Sequence, residues 1–185
     1  MAFAGAWDPW LGVWGLDPSE SDDPQERLSA SVTDPVVNGG AAAKMSPDGG
    51  NSDPEEERKH ALDDALELLG SSGGIELRPA GDELVVVWTG ELPVTVGVDR
   101  RWVKVAREPH RWKVRAWMDG ANLVVERRQR ATSVAETFLP AQRPDEVVVV
   151  VWVEGPSLHP PVEFRRVYRP LSAAPAVGAE GADPG

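Results

Sequence analysis

The 185-residue chain has no cysteine, which excludes disulfide scaffolds, thiolate metal sites and cysteine nucleophiles. Histidine is nearly as scarce. His60, His110 and His159 are the only imidazoles, and none stands at a spacing that suits a metal cluster or a catalytic triad. His110, in a Glu-Pro-His-Arg turn, and His159, in a Leu-His-Pro-Pro loop, read as solvated side chains. Long apolar runs are also missing. The longest extends from Val147 to Val153, which is strand-sized and far below the ~20 residues that cross a bilayer as a helix. The amino terminus lacks a basic leader followed by an apolar stretch, so the expected location is the cytoplasm. No cofactor, no metal and no membrane span are expected, and the chain does not read as an enzyme.

Acidic residues are plentiful, but their placement decides their meaning. The formal charge is -11, yet residues 17–67 alone carry a net of -10 while residues 71–169 carry +2. Residues 17–54 form an acidic insert rich in Pro and Gly that buries too little apolar surface to offset its ordering entropy, and it is expected to be disordered. The Ala/Pro/Gly-rich stretch 171–185 reads as a second loose tail. Residues 55–70 form the one expected helix. Asp53 caps it, Pro54 suits its first turn, Gly70 stops it, and Ala61, Leu62, Ala65, Leu66 and Leu69 make a narrow apolar stripe.

From residue 74 to 170 the hydrophobic period is that of strands. The expected strands are 75–78, 83–88, 93–98, 102–105, 111–118, 122–128, 133–139, 147–153 and 162–169, with 11–16 as a tenth in the amino-terminal segment 1–16. Connections this short join antiparallel neighbours, so the order in sequence should be the order in space. The reading is an all-β, up-and-down antiparallel barrel of about 8–10 strands, closed by strand 11–16, with one helix inserted after that first strand. The pair Asp119-Gly120 predicts a hairpin in which Met118 faces Ala121. That register opposes Ala116 to Leu123, Val114 to Val125 and Trp112 to Arg127 on an apolar face, and Lys113 to Glu126 as an ion pair on the other.

Two motifs at the ends of this sheet carry a resemblance. Gly12-Val13-Trp14 and Phe164-Arg165-Arg166-Val167-Tyr168 resemble the first and last strands of the calycins, the lipocalins and fatty-acid-binding proteins, and the pattern is similar to uncharacterised bacterial lipocalin-like proteins. The resemblance implies that Gly12 and Trp14 plug one end of the barrel, with Arg165 or Arg166 stacked over the indole. It also implies that an inward Arg166 and Tyr168 hold a ligand carboxylate.

Alternation puts Phe164, Arg166 and Tyr168 on one face of the last strand. With Trp112, Val114, Val125 and Arg127 they make the candidate ligand-binding set. The resulting reading is non-catalytic binding of a small lipophilic, anionic molecule. Its alternative is a packed structural or protein-interaction barrel in which Arg166 is a clasp, stacked on Trp14 or paired with Glu136 or Glu126. Residues 147–153 are apolar on both faces, so their outer side needs a cover: the helix stripe, Trp7 and Trp10, or a second subunit in a homodimer. Arg111, Lys113, Arg115 and Arg128 gather beside Trp117 as a charged face, and no nucleic-acid partner is expected.

Overall fold

The computed structural model describes residues 7–33, 54–70, 73–107, 110–143, 145–155 and 158–171. A single 3-10 turn, Asp8–Trp10, leads into ten strands: β1 (Gly12–Leu16), β2 (Gly74–Ala80), β3 (Glu83–Trp88), β4 (Val94–Gly97), β5 (Val103–Arg107), β6 (His110–Asp119), β7 (Asn122–Gln129), β8 (Thr132–Phe138), β9 (Val147–Gly155) and β10 (Leu158–Pro170). They form one antiparallel sheet in the order β4-β3-β2-β1-β10-β9-β8-β7-β6-β5. β1 joins β2 to β10, pairing Trp14 with Ile75 on one side and with Pro170 on the other. The sheet is therefore the expected meander, closed through β1.

Its remaining opening lies between β4 and β5. There the connection bonds to β6 instead: Asp99 bridges Trp117, and the Arg100 N–H donates to the Ala116 carbonyl at 3.0 Å.

The β6–β7 hairpin corrects the expected register. Asp119 pairs with Asn122, so the two loop residues are Gly120 and Ala121, and Gly120 takes a φ of 60° while Ala121 does not go positive. That pattern fits a type II′ turn, in which glycine occupies the first central position. The slip is two residues, so every side chain keeps its face and changes only its partner. Val114 faces Arg127, and the outward-face ion pair is the partly buried one of Arg115 with Glu126, at 2.6 Å between Nε and Oε2, in place of Lys113 with Glu126.

Two helices follow β1, where one was expected. α1 (Pro24–Thr33) lies inside the stretch read as disordered, and α2 (Pro54–Leu69) is the predicted helix. The physical reason for α1 is its start: Asp23 Oδ1 accepts from the N–H groups of Gln25 at 2.7 Å and Glu26 at 3.2 Å, and Pro24 occupies the first turn. Leu28 then buries completely against the core and anchors the helix. Residues 34–53, the Asp53 cap and residues 172–185 lie outside the described residues. α2 buries Ala61, Ala65, Leu68 and Leu69 over the β7–β8 turn and the end of β9, and Arg130 of that turn pairs with Asp64 at 2.8 Å.

Inside, alternate residues of the strands form one core: Leu77, Val86, Trp88, Val114, Val125, Val134, Phe138, Val149, Val151, Phe164 and Tyr168 are all buried. Trp7 and Trp10 are one of the three covers expected for the outside of β9. Both are buried in the core cluster with Trp14, and the Trp10 indole N–H donates to the Leu139 carbonyl at 2.8 Å.

Candidate ligand site inside the barrel

β8 points Thr132, Val134, Glu136 and Phe138 inward, so a single carboxylate enters an otherwise apolar wall. Register brings its neighbours to it. Glu136 stands opposite Val125 of β7 and Val151 of β9, which sets Arg127 one alternation along β7 and Phe164 in the same row across Val151 on β10. Glu136 Oε2 accepts from Arg127 Nη2 at 3.0 Å and from the Trp88 indole N–H at 2.9 Å. The Arg127 guanidinium lies 4.2 Å from the Trp88 ring centroid, and Trp88 meets Trp112 edge-on at 5.8 Å. Arg166 approaches the other oxygen of Glu136, Oε1, at 4.0 Å, and hydrogen-bonds the Tyr168 hydroxyl.

Arg127, Glu136, Arg166 and Tyr168 are each at most 3% exposed. Burial and the Glu136 charge lift the Tyr168 phenol above its ordinary value, with Arg166 acting against them. Burial draws the Arg127 guanidinium below its usual range, opposed chiefly by Glu136, while Arg166 pushes in the same direction as burial. Two buried guanidiniums thus face one buried carboxylate; Glu91, on the partly buried β3–β4 connection, also acts on Arg127 through space. Arg127 Nε and Glu136 Oε1 have no hydrogen-bond partner. Chemically, the cluster gathers two guanidiniums, a phenol and an indole N–H around one carboxylate.

The sequence-derived set is largely brought together. Phe164, Arg166, Tyr168, Val114, Val125 and Arg127 share the interior, and Trp112 reaches it from β6 half-buried. Glu136 and Trp88 belong to the same cluster but were absent from that set; the inward parity of Glu136 within β8 was the available signal. Arg165 stands elsewhere. It is exposed on the outer face of β10, where its N–H donates to Asp22 Oδ2 at 2.7 Å and its guanidinium to the Glu20 carbonyl at 3.4 Å. Arg165 clasps the segment leading into α1 and does not stack on Trp14.

Gly12 and Trp14, expected as a plug, make their own local contacts. The Trp14 indole N–H donates to the Trp10 carbonyl at 2.9 Å, and the ring lies back over Gly12. Gly12 has a φ of 142°, and a Cβ there would meet Trp14 Nε1 at 3.3 Å, so the strand can turn under the indole only as glycine.

Among the described residues no group of three or more His, Asp or Glu side chains could hold a metal ion, and no helix is long and apolar enough to cross a membrane.

No family model and no curated protein sequence matches the chain. Solved structures do. A secretory abundant heat soluble protein from Ramazzottius varieornatus superposes with a TM-score of 0.53 at 14% identity, over 88% of this chain and 95% of that one. Secretory abundant heat soluble protein 4 from the same organism gives 0.52 at 12% identity, over 88% and 95%. Fatty-acid-binding protein 1 of Echinococcus granulosus is similar at 10% identity over 89% and 98%, with a TM-score of 0.49. At such identities the likeness is one of fold, and the fold is the lipocalin-like, calycin type of β-barrel that the two terminal strands resemble.

Proposed function

We propose that the barrel binds a small lipophilic anion, non-catalytically, with its acidic group on Arg166, Tyr168 and Arg127 and its apolar part against Trp112, Val114, Val125 and Phe164. The observation that carries this reading is the buried Arg127–Glu136–Arg166–Tyr168 cluster, in which two guanidiniums meet one carboxylate. An anionic head group would supply an acceptor for the buried Arg127 Nε. In this reading the apolar part enters at the β4–β5 boundary. Val98, Val103, Val105, Trp112 and Met118 line that side only partly buried, and β4 and β5 share no ladder there.

A second reading has its own observation. Val114, Val125 and Val151 are completely buried and Phe164 is 2% exposed, which favours a packed interior where Glu136 clasps the two arginines as a structural unit.

Native mass spectrometry of the protein purified without detergent separates the two. A discrete excess mass, retained by the native chain and lost in Arg166→Gln, supports the anion binder. A bare mass that takes up no added fatty acid, at concentrations where a lipid-binding barrel saturates, removes it and leaves the packed barrel.

A further inference from the structure

A cationic cleft lies at the β5–β7 end of the sheet, with its strand cations on the outward face and Trp112 reaching it from the inward one. It has a volume of about 430 Å3 and is lined by Lys104, Arg111, Trp112, Lys113, Arg128 and Arg130. Strand register sets Lys104 opposite Lys113 and Lys113 opposite Arg128, so three cations stand in one row across β5, β6 and β7. Like charges directly opposed on a sheet cost stability, and sheets ordinarily alternate them with acids.

Among the described residues Glu126 pairs with Arg115 at 2.6 Å, Asp64 pairs with Arg130 of the cleft itself at 2.8 Å, and Glu154 stands beyond Arg128 across Ser133, two strands away. Among the described residues no ion pair engages Lys104, Arg111, Lys113 or Arg128, and Arg128 Nε is buried without a hydrogen-bond partner.

We propose that this cleft binds a linear oligophosphate of two or three linked phosphoryl groups. Its charge matches the row of cations, its length can follow the row from strand to strand, and its oxygens suit the guanidinium fork of Arg128 and the point charge of Lys113. The cleft volume falls in the small-molecule range.

Single-stranded nucleic acid fits less well, because binding it in this way needs bare aromatic faces for bases to stack on. Of the neighbouring indoles, Trp102 is covered by Lys113 at 4.7 Å and Arg115 at 4.4 Å and Trp117 by Arg115 at 5.1 Å and Arg100 at 5.3 Å from the ring centroids, while Trp112 is half-buried and packs edge-on with Trp88 at 5.8 Å. What remains available is charge rather than stacking surface.

Isothermal titration calorimetry on the full chain tests the site, with tripolyphosphate and ATP as probes. Tripolyphosphate should bind with an affinity that falls as salt rises. The double variant Lys113→Gln/Arg128→Gln should bind roughly tenfold weaker or worse, since each lost charge-assisted contact is worth about a factor of ten. Arg78→Gln, on β2 outside the cleft, should bind as the native chain does. Equal affinity for ATP identifies the triphosphate chain of a nucleotide as the source, and a preference for tripolyphosphate identifies the free oligophosphate. The double variant should also melt no lower than the native chain in phosphate-free buffer, because it relieves the row. The proposal is overturned by absence of tripolyphosphate binding, by an unchanged affinity in the double variant, by a lower melting temperature of that variant, or by a dT oligonucleotide that binds more tightly and displaces tripolyphosphate.

Discussion

Glu136 has an indole and a guanidinium on one carboxylate oxygen and a second guanidinium near the other, all away from water. Removing its charge leaves two buried cations facing a neutral amide, so Glu136→Gln should cost about 3–5 kcal/mol in urea denaturation. The same variant separates the two readings of the interior. If the site takes an anion, a long-chain carboxylate should raise the stability of Glu136→Gln more than that of the native chain; an equal or absent rise supports the packed clasp. At the plug, Gly12→Ala should cost about 1–3 kcal/mol, because alanine at a φ of 142° is strained and its methyl presses on Trp14. At this scale the sequence was informative wherever alternation decides orientation. The inward direction of Arg166 and Tyr168 followed from the apolar company of Phe164. The role of Arg165 did not follow from the strand pattern, because its partners Glu20 and Asp22 come from a segment far away in sequence.

Elements that dock through side-chain carboxylates respond to acid. Asp22 is held below the ordinary carboxylate range, first by the Arg165 backbone N–H and then by Arg27, and Asp17 is lowered chiefly by the Ser19 hydroxyl. A carboxyl with a lowered folded-state pKa contributes stability that is fully present above its unfolded value and is lost as pH falls through the folded value. The segment between β1 and α1 should therefore stay on β10 at neutral pH and loosen below about pH 4. Amide exchange at Arg165 would report this directly, and Asp22→Asn should give fast exchange that no longer depends on that titration. All ten strands were legible from the period-2 runs and their turn residues, as was α2 from its stripe. α1 was not, because only Leu28 ties it to the core and its Ser, Thr and Val residues are weak helix formers. Its one sequence signal was local: Asp23-Pro24 followed by Glu26, a helix start in the middle of polar sequence. The β6–β7 register was misplaced by two because Asp-Gly commonly forms the turn itself, whereas here Asp119 closes the ladder against Asn122.

For the molecule as a whole, the meander and its closure by the first strand were readable because short connections leave few alternatives. The site of the opening was not. The link from β4 to β5 has the length of an ordinary hairpin loop, but Asp99 accepts from the Arg101 N–H at 3.1 Å, Arg100 takes a φ of 67°, and the backbone bonds to β6. These are conformational facts with no composition signature. On the outer face of β9, where the sequence suggests a homodimer, Val148 and Val150 are partly buried and Trp152 is 40% exposed. A dimer through this face depends on Trp152, so Trp152→Lys should halve the mass seen by light scattering. A native chain that stays at 20.0 kDa across the accessible concentration range rules the dimer out.

The seam between β1 and β10 means that the described chain enters and leaves the barrel side by side, with Trp14 opposite Pro170. The β4–β5 boundary is meanwhile the one place in the strand order that carries no ladder. A circular permutant that joins the old ends through a flexible linker and begins at Trp102 would break no strand pairing. In that order β10 runs directly into β1, so the pairing that now spans nearly the whole sequence becomes a local one. Since folding slows as contacts grow more distant in sequence, the permutant should reach the same barrel faster than the natural chain in stopped-flow refolding.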